Sequence, residues 1–270
     1  MPMFLSCSRQ ELNMKSCSEE VHLSTRVPRR FLKAEWRKLI LAQYEVDPAV
    51  LAPRLPHGLE LDFYCAGGER RCYVSLVGFL FDRVRVKGLG FPFHTRFEEV
   101  NLRFYVRRVE RNGTVKRGVV FLREYVPRMA ISLTAKWLYE EPYQTLPMAH
   151  QIRLDHDALR VSYEWEHKGR RQRLAVLADP CPMAMQPGSE EEFITEHYWG
   201  YTKRSRGAAS EYAVEHPRWC VYPVRNFEVK VDFGVLYGDA FAALRAEKPA
   251  SVILAEGSEV TVFEGRRLFL

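Results

Sequence analysis

The feature that most constrains the fold is a pair of alternating segments joined by an Asn-Gly turn. Residues 97–109 alternate between apolar and polar side chains, and residues 118–125 do so again after Asn112-Gly113. A period of two indicates β-strands with one buried face, and Asn-Gly between two such segments is the strongest short signal for a hairpin. Any fold proposed for this chain must therefore contain this antiparallel hairpin.

Similar patterns recur along most of the chain. Apolar or alternating segments separated by turn residues predict about ten short strands. The clearest helix signal is Ser189 followed by Glu192, a capping box at the start of a short helix. Because closure of a sheet removes exposed strand edges, many short strands with few helices favour a barrel. We predict a mainly β protein with a few short α-helices, built as a cone-like closed antiparallel β-barrel.

Composition favours one large core preceded by an extension. Apolar residues make up 47% of the 270 residues, which is enough to bury a sizeable core. Residues 1–30 lack hydrophobic periodicity and are predicted to be a mobile N-terminal leader, and residues 31–270 are predicted to be a single domain. No apolar run is long enough for a signal peptide or a membrane span. The six cysteines contain no C-x-x-C pair, which favours reduced thiols in a cytoplasmic protein.

The chain is basic, with a formal net charge of +6 and a pI of about 9.0. Clustered Lys and Arg would favour nucleic-acid binding, because they release counterions from phosphate. Here the basic residues alternate with apolar ones around Asn112-Gly113 and Gly169. Solvated hairpin faces are the favoured interpretation, and a surface for polyanions stays as the alternative.

The strand at residues 97–109 carries a polar triplet. Glu99, Asn101 and Arg103 lie two residues apart and therefore share one face. The alternate residues are apolar: Val100, Leu102 and Phe104. The pattern leaves two interpretations open. Either the triplet meets solvent, or it lines a barrel interior, where Arg103 could clamp a carboxylate and Glu99 could act as an acid or base.

An aromatic segment, HYWGY at residues 197–201, is the second candidate. Such a density of aromatic residues is typical of a core, and the alternative is an aromatic-walled pocket. No two histidines stand at a spacing that would bind a metal on one helix or strand, and G-x-S-x-G is absent. The sequence therefore predicts neither a metal site nor a serine hydrolase.

Several segments resemble a family of uncharacterised bacterial proteins that is defined as a domain of unknown function. They are YEVDPAVLAPRLPHGLEL at residues 44–61, FEEVNLRFYV at 97–106, Pro142-Tyr143, and HYWGY at 197–201. The family is distantly similar to acetoacetate decarboxylase, and the resemblance extends over most of residues 31–263. It implies a cone-like β-barrel with a central cavity and an inward-facing polar triplet.

The resemblance implies which residues of this chain correspond to the functional residues of the decarboxylase. Its strand-borne arginine falls on Arg37 and its active-site glutamate on Glu99, whereas its second glutamate falls on Ser75. Its lysine pair falls on Tyr143 and Gln144. A Schiff base with a ketone needs a primary amine of lowered pKa, so the resemblance implies that this chain is not a Schiff-base decarboxylase.

Lys136 is near these positions in sequence, but it matches the arginine of the decarboxylase's Gly-Arg-Glu segment and not a reactive lysine. We therefore predict a barrel-interior pocket for a small anionic or carbonyl ligand, with no cofactor. Glu99 and Tyr143 are the predicted catalytic residues. The predicted ligand-binding residues are Arg37, Asn101, Arg103, Gln144, His197, Tyr198 and Tyr201.

Whether the chain is an enzyme stays open at this point. The first alternative is a non-catalytic module that binds a metabolite or a partner protein, because the lysine pair is replaced while the scaffold is kept. The second is a nucleic-acid binder that uses the basic hairpins. Fold alone does not decide among them, and a homo-oligomer is compatible with each.

Overall fold

The computed structural model of the chain describes residues 29–90, 94–127, 143–204 and 208–268. Two sequence-based predictions fall on other parts of the chain. Residues 1–28 of the predicted leader lie outside the described residues, and so does Lys136.

Within these ranges the chain is mainly β, as predicted. The strands in order are β1 (Arg30–Glu45), β2 (Glu60–Leu61), β3 (Tyr64–Ala66), β4 (Glu69–Arg71), β5 (Tyr73–Val86), β6 (Phe97–Val109), β7 (Val115–Val126), β8 (Tyr143–Thr145), β9 (Met148–Leu154), β10 (Leu159–His167), β11 (Arg170–Ala178), β12 (Met183–Ala184), β13 (Trp199–Lys203), β14 (Ala209–Glu215), β15 (Cys220–Tyr222), β16 (Val224–Lys230), β17 (Ser251–Phe263) and β18 (Arg266–Leu268).

The helices in the described ranges are short. They are α1 (Pro48–Leu51), α2 (Glu190–Thr195) and α3 (Phe233–Tyr237), with 3₁₀ turns at Ala52–Arg54 and Asp239–Arg245. Each α-helix starts at a side chain that accepts a hydrogen bond from the first turn: Asp47, Ser189 and Asp232. The predicted cap at Ser189 is thus confirmed. In the described ranges, no helix has both the length and the apolar character needed to cross a membrane.

Most strands form one large sheet. Their order is β12-β15-β17-β1-β5-β6-β7-β13-β14-β18, with β2 beside β6 and β8 beside β7. Strand β14 also pairs with β17, where Val214 lies opposite Val262, so the order returns to β17. The pairings of β7 with β13 and with β8 are parallel, so the prediction of a wholly antiparallel sheet is wrong there. Between β7 and β13 the chain forms the second sheet and other elements, and such a crossover lets paired strands run in the same direction. Closure into a barrel stays a prediction.

A second sheet, ordered β16-β11-β10-β9, covers one face of the first. Its apolar side chains share one cluster with alternate residues of β6. That cluster contains Val100, Leu102 and Phe104 from β6, and Tyr163, Trp165 and Leu174 from the second sheet. Because alternate residues of a strand face opposite ways, Glu99, Asn101 and Arg103 project away from the second sheet.

Most cations of the two basic hairpins are paired with carboxylates of the same chain. The pairs at the first hairpin are Arg107–Glu60, Arg108–Glu211, Lys116–Glu211 and Arg117–Asp62. Those at the second are Arg170–Asp232 and Arg173–Glu228. Much of the positive charge is thus neutralised in place, so the hypothesis of nucleic-acid binding gains no support from this geometry.

The backbone of β1 is irregular where it passes Gly257 of β17. Gly257 lies opposite Arg37 and has a φ of +81°, and a β-carbon there would lie 2.0 Å from the carbonyl oxygen of Trp36. Close by, Lys38 has a φ of 54°, and the register of β1 with β5 shifts between Arg37 and Ile40. This irregularity decides which β1 side chains face inward.

We expect Gly257→Ala to lower the free energy of unfolding by about 2 kcal/mol, because the new methyl group combines backbone strain with contact against a backbone oxygen. Gly67→Ala is the matched control, since Gly67 has a φ of +61° but open space around it. Urea denaturation should show the larger loss for Gly257→Ala. Equal losses in the two variants would mean that the approach to Trp36 has no energetic consequence.

Candidate functional site

A cavity of about 390 Å³ lies on the face of the large sheet that carries Glu99, Asn101 and Arg103. Eight strands of the described ranges contribute to its lining, namely β1, β5, β6, β7, β8, β13, β14 and β17, and so do the segments around His197 and Trp219. Most of the wall is apolar. The charged and hydrogen-bonding lining includes Glu99, Asn101, Arg103, Glu124, Tyr143, Thr195, His94, His197 and His216. An apolar cavity with a few convergent polar groups is typical of a small-molecule site.

Glu99 lies in this cavity with 3% of its surface exposed. Asn101 Nδ2 donates to Glu99 Oε1 at 2.9 Å, and Tyr143 Oη donates to Glu99 Oε2 at 3.3 Å. Hydrogen bonds to both oxygens hold the carboxyl group in a fixed orientation, and a carboxylate oxygen is a group that can accept a proton. The structure thus brings the two predicted catalytic residues into contact.

Arg103 brings a guanidinium group to the same wall. Its neighbours across the sheet are Ser75 on β5 and Phe121 on β7. The guanidinium carbon lies 5.8 Å from the centre of the Tyr105 ring. No carboxylate of the described ranges forms an ion pair with Arg103, and its Nε is buried without a hydrogen-bond partner. A cation in such a setting is suited to pair with an anionic or carbonyl oxygen of a ligand.

His197 is held by a carboxylate that the sequence reasoning missed. His197 Nε2 lies 3.1 Å from Asp62 Oδ2, and Arg117 Nε donates to the same oxygen at 2.7 Å. An ionised carboxylate only accepts hydrogen bonds, so Nε2 carries the proton and Nδ1 is an acceptor. Nδ1 is buried without a partner. The imidazole is therefore fixed in one tautomer at the edge of the cavity.

The pKa values of this pair follow from burial and hydrogen bonding. Burial lowers the pKa of His197 from 6.5 to about 4, although its hydrogen bond with Asp62 opposes the shift. For Asp62, burial alone would raise the pKa, but the hydrogen bonds from His197 and Arg117 outweigh it, so the pKa is lowered. His197 is thus neutral and Asp62 is charged at neutral pH.

Acid should destabilise the fold through His197. Folded His197 has a pKa of about 4, whereas the histidine of the unfolded chain has a pKa of about 6.5. Between these pH values the unfolded chain binds one proton more than the folded chain, so the free energy of unfolding falls as the pH drops from 6.5 to 4. The slope is about 1.4 kcal/mol per pH unit for each such proton. Because the pKa of Asp62 is lowered, its protonation reduces the free energy of unfolding only in more acidic solution.

Urea denaturation between pH 4.5 and 7 checks this prediction. His197→Gln should flatten the pH dependence by up to one proton, and His57→Gln is the matched control because His57 is exposed. An unchanged slope in His197→Gln would contradict the assignment of a neutral, buried imidazole.

Glu124 is a second carboxylate in the cavity that the sequence pattern did not reveal. On β7, Val119 and Phe121 line the cavity two residues apart, whereas Glu124 follows Phe121 by three. The register with β6 shifts just after Phe121, and such a bulge changes the face to which the following residues point. Glu124, 1% exposed, consequently lies opposite Asn101.

Arg37 lies outside the cavity lining, so the predicted meeting of Arg37 and Glu99 in one pocket does not occur. Its guanidinium donates to Glu35 at 2.7 Å and lies 3.7 Å from Glu256. Trp36, its neighbour on β1, does line the cavity. Because neighbours on a strand face opposite ways, the irregular pairing of β1 leaves the arginine on the outer face.

Three other predicted ligand-binding residues also lie outside the lining. Gln144 follows Tyr143 on β8 and takes the opposite face. Tyr198 donates to Glu196 at 2.5 Å. Tyr201 is fully buried in the cluster shared with the second sheet. For Tyr198 and Tyr201, packing is therefore the interpretation that the geometry favours.

Ser75 stands where the resemblance carries the decarboxylase's second glutamate. It is fully buried; its hydroxyl donates to Gln43 and lies 2.6 Å from Tyr105 Oη. This position thus holds a hydrogen-bonded network of neutral side chains in place of a carboxylate.

The histidines of the lining do not assemble a metal site with the carboxylates of the described ranges. No group of three or more histidine, cysteine, aspartate or glutamate side chains that could hold a metal ion occurs there. His216 instead stacks on Trp219 with ring centres 4.2 Å apart, and it packs 4.8 Å from Tyr198. It is therefore part of the aromatic wall.

Residues 33–259 match the DUF2071 family, which is described as an uncharacterized conserved protein. The chain belongs to the DUF2071 family. This DUF2071 chain is also similar to the uncharacterized protein YqjF of Bacillus subtilis (strain 168), with 24% identity over 190 residues that cover 69% of this chain and 73% of YqjF. The resemblance to a family of unknown function is thereby confirmed.

Solved structures share the fold of this DUF2071 chain at low sequence identity. The enduracididine biosynthesis enzyme MppR complexed with pyruvate matches with a TM-score of 0.59 and 16% identity, covering 91% of this chain and 92% of MppR. An acetoacetate decarboxylase-like enzyme from Sphingomonas wittichii RW1 matches with a TM-score of 0.59 and 14% identity, covering 88% of this chain and 93% of that enzyme. The acetoacetate decarboxylase of Legionella pneumophila matches with a TM-score of 0.54 and 14% identity, covering 96% of this chain and 94% of that decarboxylase. The predicted relation to acetoacetate decarboxylase is thus confirmed at the level of the fold.

Proposed function

We propose that the large sheet closes as a barrel around the cavity, which binds a small carboxylate or carbonyl compound. Arg103 holds an oxygen of the ligand, and Asn101 and His197 contact its other polar atoms. The observation that carries this proposal is Arg103 itself. It is a guanidinium group in a mostly apolar cavity, and no carboxylate of the described chain is paired with it.

Arginine suits this role for two physical reasons. Its fork of donors matches the two oxygens of a carboxylate, and hydrogen bonds between charged partners are roughly twice as strong as neutral ones. Arg103 is partly buried, and its Nε is fully buried without a hydrogen-bond partner. A cation shielded from water in this way is stabilised by an anionic ligand that pairs with it. MppR, which shares the fold, is complexed with pyruvate, a 2-oxo acid, and this supports the ligand class.

We further propose that Glu99 takes a proton from the ligand carbon next to the carbonyl group. The C–H bond breaks, the proton passes to a Glu99 carboxylate oxygen, and the electron pair moves to the carbonyl oxygen, whose charge Arg103 stabilises. Tyr143, hydrogen-bonded to Glu99 Oε2, is the hydroxyl donor that can return a proton to the ligand. This chemistry needs no Schiff base.

A second candidate function is a non-catalytic module that binds a metabolite. It is favoured by Tyr143 and Gln144, which stand where the resemblance would place reactive lysines. Both candidates use the same cavity, and they differ in whether Glu99 moves a proton.

Arg103→Met should weaken the binding of carboxylates about 10- to 100-fold, because hydrogen bonds to charged groups contribute about 1.5 to 3 kcal/mol. Arg107→Met is the matched control, since Arg107 lies on the same strand but pairs with Glu60 at the surface. Isothermal titration calorimetry with pyruvate, 2-oxobutyrate and phenylpyruvate makes the comparison. The proposal fails if Arg103→Met binds these acids as the wild type does, or if the wild type binds none of them.

A further inference from the structure

We infer that the ligand is amphipathic: an apolar body about the size of a phenyl ring or a short alkyl chain is attached to the carboxylate or carbonyl group held by Arg103. This inference rests on the proposed function and adds the class of ligand. It follows from where the polar and apolar parts of the lining lie, from the volume of the cavity, and from the stiffness of its aromatic wall.

The charged lining comes from one side of the cavity. Glu99 and Arg103 belong to β6, and Glu124 belongs to the neighbouring β7. In the order β17-β1-β5-β6-β7-β13-β14, with β14 again beside β17, strands β6 and β7 stand across from β1, β14 and β17. A ligand that reaches Arg103 therefore extends toward the side formed by those three strands.

That opposite side carries no charged lining residue from the described parts of β1, β14 and β17. Phe31, Tyr212, Val214 and Val262 form a buried cluster there, and Leu32 packs against it while remaining partly accessible. Each Å² of apolar surface that a ligand removes from water contributes about 25 cal/mol to the free energy of binding. The side across from Arg103 is thus suited to hydrocarbon.

The volume is larger than a small keto acid requires. A cavity of roughly 150 Å³ is enough to hold benzene, whereas this one measures about 390 Å³. There is therefore room for an apolar body of phenyl size together with its head group. A ligand as small as pyruvate would leave most of the apolar side unoccupied.

The wall beside this space is built from rigid aromatic rings. Trp36 packs edge-on against Phe79 and Phe81, with ring centres 5.3 and 6.0 Å apart, and all three side chains line the cavity. Aromatic side chains offer a large apolar contact area and favour edge and offset contacts with another ring. A flat or extended apolar body fits such a wall.

Calorimetric titration of the full chain with three ligand series tests the inference. The series are straight-chain carboxylates from acetate to octanoate, 2-oxo acids from pyruvate to 2-oxooctanoate together with phenylpyruvate, and the matching primary alcohols. Each added methylene should tighten the binding of an acid about fourfold until the apolar side is filled, and an alcohol of equal length should bind more weakly. Acetate and pyruvate binding as tightly as the longer acids would overturn the inference and leave the proposed function standing. If no acid of any length binds, the proposed function falls and the inference falls with it.

Two variants locate the apolar body. Leu32→Ala should weaken octanoate and phenylpyruvate about tenfold and leave acetate and pyruvate unchanged. Leu122→Ala is the matched control, because Leu122 is a partly buried leucine packed against the cluster on the other face of the sheet, and it should change none of these affinities. Arg103→Met should weaken every acid by the same factor. If Leu32→Ala leaves the long acids unaffected, or if Leu122→Ala weakens them equally, the inference is wrong.

Discussion

Glu211→Gln is expected to lower the free energy of unfolding by about 3 to 5 kcal/mol. The side chain of Glu211, on β14, is 0% exposed and lies 2.9 Å from Arg108, 3.3 Å from Lys116 and 2.8 Å from Arg266. Removing its charge leaves three cations close together around a buried amide. Glu110, whose side chain is 23% exposed, then remains to offset their repulsion. Breaking a buried ionic network from one side is far more destabilising than breaking a surface pair.

Urea denaturation measures this effect as a shift of the midpoint at constant slope. The matched control is Glu259→Gln, because Glu259 pairs with Lys33 at 2.9 Å while its side chain is 63% exposed, and a pair of this kind contributes about 0 to 1 kcal/mol. A loss below about 1 kcal/mol for Glu211→Gln would contradict the view that this network holds the sheet together.

The position of Glu211 explains what the first basic hairpin does. Arg108 and Lys116 lie near the turn between β6 and β7, and Arg266 lies on β18. Through Glu211, β14 is tied both to this hairpin and to the strand at the end of the sheet. From the sequence alone, a polyanion-binding surface is the alternative interpretation of these cations. In the structure they pair with Glu211 of the same chain, and these ion pairs connect strands that line the cavity.

The alternation along β6 was enough to predict that Glu99, Asn101 and Arg103 share a face. It could not decide whether that face meets solvent or a cavity, because the answer depends on segments far along the chain. The apolar residues of β6 are covered by a second sheet that begins at Met148 and ends at Lys230. Because that sheet covers the apolar face, the polar triplet lies on the opposite face and lines the cavity.

Other parts of the site depend on local irregularities that a regular pattern does not show. A bulge after Phe121 turns Glu124 inward, and the shifted register of β1 leaves Arg37 outside. Asp62 reaches His197 across 135 residues of sequence. These features arise from strand register and long-range packing. The alternation of apolar and polar residues therefore predicts the strands, but it identifies only some of the residues that line the cavity.

Glu99→Gln is expected to slow proton removal from a bound 2-oxo acid by about 10²- to 10⁴-fold. Glutamine keeps the shape of the side chain but cannot take up a proton at a carboxylate oxygen. Binding should change little, because Arg103 holds the ligand. The measurement is the exchange of the C3 protons of 2-oxobutyrate for deuterium, followed by proton NMR in D₂O with affinity determined in parallel.

Glu98→Gln separates this effect from a general change in charge, because Glu98 is adjacent on β6, faces the other way and lies 2.5 Å from His150 Nδ1. It should leave the exchange rate unchanged. Tyr143→Phe, which removes one hydrogen bond to Glu99, should slow exchange less than Glu99→Gln does. If the wild type binds 2-oxo acids through Arg103 but exchanges their protons no faster than buffer, the chain is a binding module. Glu99 then serves to orient Asn101, to which it is bonded, and the cavity selects a ligand without transforming it.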